Sequence, residues 1–174
     1  MPRRTDLNSL TPADRTVLVN LILRYINDAV LASHFPGITH TGGALFTGHR
    51  IFLEGMEAYL ASHGGGRFVP LPKWNPATRI PDEFFPVVKP RDDGTPRPPL
   101  TNQTPNLPLP ARFASPAVCS YANADQLGND INGWHGSVHG AVGGTMTDIS
   151  NSPAAPIFWP WHAFIDDVYY DWQQ

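Results

Sequence analysis

The chain has a single cysteine, Cys119, in 174 residues. That excludes an intramolecular disulfide framework and every Cys-x-x-Cys metal or redox motif. Charge is scarce as well: 16 % of residues are charged, the formal net charge is −3, and no basic run is longer than Arg3-Arg4. Such a chain has no electrostatic footprint for nucleic acid or for an anionic membrane surface, so neither is expected as a partner. No apolar stretch approaches the length of a bilayer span. The start, MPRRTDLNSLTPADRT, is polar and lacks the apolar core of a signal peptide. Synthesis in the cytoplasm is therefore the expectation, with export alongside a partner protein left open. Apolar residues at 41 % predict one globular domain over 1–174 with a core of its own.

Proline and histidine are what the chain has in number. Thirteen of the nineteen prolines fall between Pro70 and Pro116, which excludes a long helix there. A disordered tether is one reading of that stretch. Trp74, Phe84, Phe85, Val87, Val88 and Phe113 are spread through it, and these anchors favour the other, an irregular loop of about 70–117 wrapped on the domain.

Helices are predicted on either side of the loop. Thr11-Pro12-Ala13-Asp14 reads as a capped start. Leu18, Ile22, Tyr25, Ile26, Ala29 and Val30 then recur at helical spacing, His34 extends the stripe, and Pro36-Gly37 ends it. A second helix is expected from near Thr47 to His63, with Gly64-Gly65-Gly66 as its stop. A third covers Asp125 to Gly140, weakened by Gly128, Gly133 and Gly136. A last one runs from about Trp161 to Gln173.

Six of the seven histidines sort into two triplets, His34, His40 and His49 in the first half and His135, His139 and His162 in the second. Residues four apart share a helix face, so His135 and His139 can aim two imidazoles at one ion. Alone, that spacing is as often packing as ligation. The zinc-protease motif also uses it but requires Glu after the first His, where this chain has Gly136. His63 lies fourteen residues past His49, about 21 Å along an unbroken helix, so it is read as a surface histidine. All-imidazole sites suit copper, zinc, iron or nickel. A structural zinc site is normally closed by four ligands, whereas two sites of three leave positions open for chemistry.

The surrounding residues resemble the type 3 (binuclear) copper proteins, the tyrosinases, catechol oxidases and hemocyanins, and within them the bacterial tyrosinase-like branch. His40, His49, Arg50, Phe52, Leu53 and Glu57 follow that family's copper A signature. His135, His139, Gly143-Gly144, Met146, Ser152-Pro153, Pro156, Phe158-Trp159, His162, Asp166 and Trp172-Gln173 follow its copper B signature, and Pro72-Lys73-Trp74-Asn75 resembles a further segment. The resemblance implies a mainly α fold, an antiparallel four-helix bundle holding a dicopper centre. It implies one copper on His34, His40 and His49 and a second on His135, His139 and His162. No catalytic residue is implied beyond that centre. Dioxygen would be the co-substrate for oxidation of o-diphenols, with o-aminophenols and, weakly, monophenols as further substrates.

Departures from the family pattern carry information. Trp161 precedes His162 where the family has a second histidine, Ala155 replaces an aspartate, and the interval from His34 to His40 is short. Many members that hydroxylate monophenols carry Asn after the first copper B histidine, paired with an upstream Glu. This chain has Gly136 and Gln126, neither of which can act as a base.

Arg50 and Asp166 are expected to pair and brace two ligand helices, against the alternative of Asp166 as a solvated acid. Gly136, Gly140 and Met146 are expected near the site, with Phe35, Phe164 and Trp161 as candidate ring-stacking walls or plain core. Glu54 and Asp167 read as surface charges. The partner implied is a small phenolic substrate, with a copper-delivery protein or self-association also compatible. The competing functions are a hemocyanin-like dioxygen carrier and a non-catalytic copper- or zinc-binding protein.

Overall fold

A computed structural model describes residues 3–174. Five α-helices carry it: α1 (Pro12–Tyr25), α2 (Asp28–His34), α3 (Ala44–Ser62), α4 (Ala124–Val142) and α5 (Phe158–Trp172). Short 3-10 turns join them. There is no strand among the described residues, only an isolated bridge between Asp6 and Lys73. Among the described residues no single helix is long and apolar enough to cross a membrane.

The predicted first helix is in fact two. Thr11 caps α1 by accepting from the Asp14 amide, with Pro12 in the first turn. The helix ends at Tyr25, and Asn27 opens α2 by accepting from the Val30 amide. The two axes differ by 86°. The apolar stripe runs through the break because both pieces bury a face, so periodicity alone reads them as one. The short side-chain amide of Asn27 competes with the helical ladder and wins a capping role. This turn lets α2 end on His34 beside α3.

The helix α3 starts three residues before the expected Thr47, because its preceding turn is held from outside. The Gly42 amide donates to Asn129 Oδ1 at 2.9 Å and the Gly43 amide to Asp125 Oδ1 at 2.7 Å, both acceptors on α4. Gly42 takes a φ of +54°, which favours glycine. Its carbonyl lies on α4 at Gly128, where an added Cβ would come within 1.9 Å of that oxygen. Gly128 is thus a site of close backbone approach, which explains one of the glycines that weaken α4 on propensity.

The helix α5 is the centre of the molecule, buried at every position from Phe158 to Tyr169. It begins three residues earlier than expected. Pro160 is tolerated there because the first-turn amides of a helix have no intrahelical partner to lose. The proline-rich segment is a wrapped loop. Leu71, Trp74, Ile80, Phe84, Leu100 and Phe113 are all buried. The Trp74 amide donates to the Pro160 carbonyl, and the Thr101 and Asn102 amides donate to the Val142 carbonyl at the end of α4.

A buried ionic cluster ties the ends of the chain to the helices. Asp166 on α5 accepts from Arg50 Nε at 2.6 Å and from Arg4 Nη2 at 2.9 Å. Arg4 also reaches Glu57 on α3 and the Leu71 carbonyl. Burial opposes the Arg4 charge, but Glu57 and Asp166 outweigh it and hold the guanidinium above its ordinary pKa. Asp166 is therefore no solvated acid. Asp167, read from sequence as a surface charge, is buried and paired with Lys73. Its helix is enclosed on every side, so helical phase gave no warning. Glu54 is exposed, as expected.

Candidate metal centre

Four helices and one loop bring six histidines together, five of them on the wall of one cavity. His34 is the last residue of α2, His40 sits on the following loop, and His49 is on α3. His135 and His139 stand one turn apart on α4, and His162 is on α5. The ligand-type nitrogens of His34, His40 and His49 lie within 4.8 Å of one another, as do those of His135, His139 and His162. The expected triplets are thus the spatial ones. His63 is exposed and stacks on Tyr59 at a ring-centroid distance of 3.8 Å, away from both.

Five of the six rings have their tautomer fixed by the backbone. His34 Nδ1 donates to the Ile149 carbonyl at 3.0 Å, His40 Nδ1 to Ile38 at 2.9 Å and His49 Nδ1 to Leu45 at 2.6 Å. In the second triplet His139 Nδ1 donates to Met146 and His162 Nδ1 to Phe158, each at 2.9 Å. A carbonyl only accepts, so each of these Nδ1 atoms carries the proton and each Nε2 presents a lone pair. This is the outer-shell pattern by which ligating imidazoles are oriented.

The Nε2 atoms converge. His34 Nε2 is 3.1 Å from that of His49 and 3.2 Å from that of His40. His135 Nε2 is 3.0 Å from that of His162 and 3.2 Å from that of His139. Among the rings with fixed tautomers, lone pairs facing at that range repel, with no proton between them to share. Two nitrogens at about 2.0–2.1 Å from one tetrahedral ion stand roughly 3.3 Å apart. A cation of that size fits the spacing of each triplet and relieves the repulsion in the first, where all three tautomers are fixed.

Protonation is not the alternative relief. Burial first, and neighbouring imidazoles after it, push His34 down to about 3 and His139 down to about 4. His49, His135 and His162 are held well below their ordinary value for the same reasons, and burial lowers His40. The rings are neutral at neutral pH, the form that binds metal.

The triplets face each other. The His49 and His162 rings stack at 4.3 Å between centroids, and His49 lies 6.0 Å from His135. Both triplets open onto a cavity of about 340 Å³. Gly136, Gly140 and Met146 line it, as the sequence suggests. Asn132, Thr147, Ile149 and Ser152 also line it and were not foreseen. Asn132 lies three residues before His135, and helical phase could have found it. Ile149 had no local signal, because its carbonyl reaches His34 across 115 positions.

Several expected neighbours stand elsewhere. Arg50 and Asp166 do pair, behind the histidines rather than in the cavity. Phe35, Phe164 and Trp161 do not line it. Trp161 stacks behind His135 at 6.0 Å, Phe164 belongs to the core, and Phe35 is 43 % exposed. Gln126 is exposed in the first turn of α4.

Comparison with known proteins adds a family. Residues 86–174, just over half of the chain, match the family model for the common central domain of tyrosinase. The match contains His135, His139 and His162, while the first triplet lies before it. No curated protein matches the chain.

Proposed function

We propose that this chain, which belongs to the tyrosinase family of type 3 copper proteins, is an oxidase that uses dioxygen to convert o-diphenols to o-quinones. The observation that carries this reading is the convergence of two neutral histidine triplets on one open cavity. His34, His40 and His49 would hold one copper, and His135, His139 and His162 the other. When bound, the copper pair supplies the electron transfer between substrate and dioxygen. The balance is two diphenols losing four electrons and four protons, and one dioxygen becoming two waters.

The protein contributes geometry and access. Backbone carbonyls fix the imidazole planes, so the lone pairs are aligned before any ion arrives. The ion pair between Arg50 and Asp166 locks α3 to α5, and with it His49 to His162. Cavity volume stands at the lower end of small-molecule sites, which suits one aromatic ring with a small substituent. Gly136 and Gly140 leave the ring's approach along α4 clear, since a Cβ at either would meet nothing within 4 Å.

Among the described residues no carboxylate lines the cavity. The only bases there are the imidazoles of His34, His40, His135, His139 and His162, whose lone pairs are committed to metal. A diphenol needs little help in losing its protons, whereas a monophenol has no protein base to take its proton. Diphenol oxidation should therefore be fast and monophenol hydroxylation slow.

Copper reconstitution followed by catechol and dioxygen tests the reading. Oxygen uptake coupled to quinone formation is expected, with tyrosine hydroxylated far more slowly. An oxygen-dependent near-ultraviolet band without catechol turnover would make the protein a carrier. Zinc binding with no oxygen chemistry would make it a non-catalytic metal protein.

A further inference from the structure

The polar groups around the cavity differ in what they have left to offer. Thr147 Oγ1 donates to the Gly144 carbonyl at 2.8 Å, and Ser152 Oγ points at the Ile149 carbonyl at 3.5 Å. Asn132, half-buried, makes no side-chain hydrogen bond to any described residue. Its amide is the only one on the cavity wall, with two donors and an acceptor free.

Its position on α4 gives that amide a direction. Asn132, Gly136 and Gly140 are four apart and share one ridge of the helix. Asn132 stands about 4.5 Å along the axis from His135, toward the helix start. Side chains lean toward that end, so the amide lies beyond the histidines, on the side where the Gly42–Gly43 turn packs. Between the amide and the imidazoles runs the open strip of Gly136, where a ring can lie. Among the described residues no Asp, Glu, Lys or Arg lines the cavity, so the side-chain wall offers an ionic substituent no salt bridge.

We propose that Asn132 is a positioning residue that selects the substrate, an o-diphenol or o-aminophenol whose ring carries an uncharged hydrogen-bonding substituent, such as a carboxamide, opposite its reacting oxygens. The inference rests on the oxidase reading above and names its substrate class. The Asn132 amide donates to the substituent's carbonyl and accepts from its N–H. A carboxylate in that place only accepts and leaves the amide oxygen of Asn132 unpartnered.

The test compares 3,4-dihydroxybenzamide, 4-methylcatechol and 3,4-dihydroxybenzoate on the copper-loaded wild-type, Asn132→Leu and Asn132→Ala proteins. In both variants the ratio of kcat/KM for the benzamide over that for 4-methylcatechol should fall about fivefold to tenfold, the range of one or two hydrogen bonds. The change should appear in KM rather than in kcat. The wild type should prefer the benzamide to the benzoate. A ratio unchanged within twofold in either folded variant, or a wild-type preference for the benzoate, overturns the proposal.

Calorimetry on zinc-loaded protein, which carries out no redox chemistry, separates this from the oxidase reading. There, benzamide binding weakened about fivefold or more in Asn132→Leu supports the assignment and equal binding refutes it. Absence of any diphenol turnover by the copper protein would instead refute the oxidase reading.

Discussion

His135, His139 and His162 stand on two long, regular helices, whereas His34, His40 and His49 come from the end of a seven-residue helix, a loop and a third helix. The second triplet owes two of its members to helical phase alone. The first needs more pieces: the Asn27 cap sets α2 and the Ile38 carbonyl turns His40, both locally, while the Ile149 carbonyl holds His34 from 115 positions away. That last contact comes from the chain after α4, so the first site depends on the second half being folded. Equal chemistry is reached once from two long helices and once from a short helix, a loop and a distant carbonyl, and the latter is the more fragile.

The largest expected effect falls on both triplets alike. Each of these six histidines has a native pKa below the ordinary 6.5, with His139 near 4 and His34 near 3. The unfolded chain therefore takes up protons that the native copper-free protein refuses. Stability is full above the unfolded pKa and is lost as pH falls from about 6.5 toward the native values, at up to about 1.4 kcal/mol per pH unit for each such histidine. Urea midpoints of copper-free protein should drop steeply between those pH values, while the copper-loaded protein holds until the metal is released. A flat profile would mean that the rings are not buried neutral.

Next in size is Asp166→Ala, which joins rather than separates the two regions. It leaves Arg4 buried with Glu57 as its one carboxylate partner and removes the ion pair that joins Arg50 to α5. Breaking a buried pair costs about 3–5 kcal/mol, read as a lower urea midpoint with copper affinity weakened at both triplets. Loss of copper at only one would contradict the shared brace.

Asn27→Ala should break the symmetry. It removes the α2 cap, worth about 1 kcal/mol, and should lower copper retention by the first triplet in a chelator titration while leaving the second unchanged. Equal loss at both would show that α2 is positioned by something other than its cap. Smallest is Gly133→Ala, on the exposed side of α4, where an added Cβ meets nothing within 4 Å. It should raise stability by about 0.5–1 kcal/mol and leave both triplets intact, as thermal melting would show.

The same contrast governs what the sequence reveals. His135 and His139 are legible because a helix has a fixed period, and His162 because of its long matching context. The wrapped loop is legible from aromatic anchors such as Trp74 and Phe84, which have no reason to lie in a tether. The break at Asn27 is hidden, since apolar spacing continues through it. Arg4 and the Ile149 carbonyl are hidden too, because nothing local tells which groups meet across more than a hundred residues. Asp167 is misread because its helix is enclosed on all sides, which an amphipathic reading of one helix does not show.

The most direct test of two copper sites acting together is metal content measured beside oxygen uptake in the wild type, His34→Ala and His162→Ala. The wild type should hold two coppers per chain and consume one dioxygen for every two diphenols. Each variant should keep one copper and lose catechol-dependent uptake. A wild type that binds a single copper, or a His34→Ala protein that retains both metals and full uptake, would contradict the account.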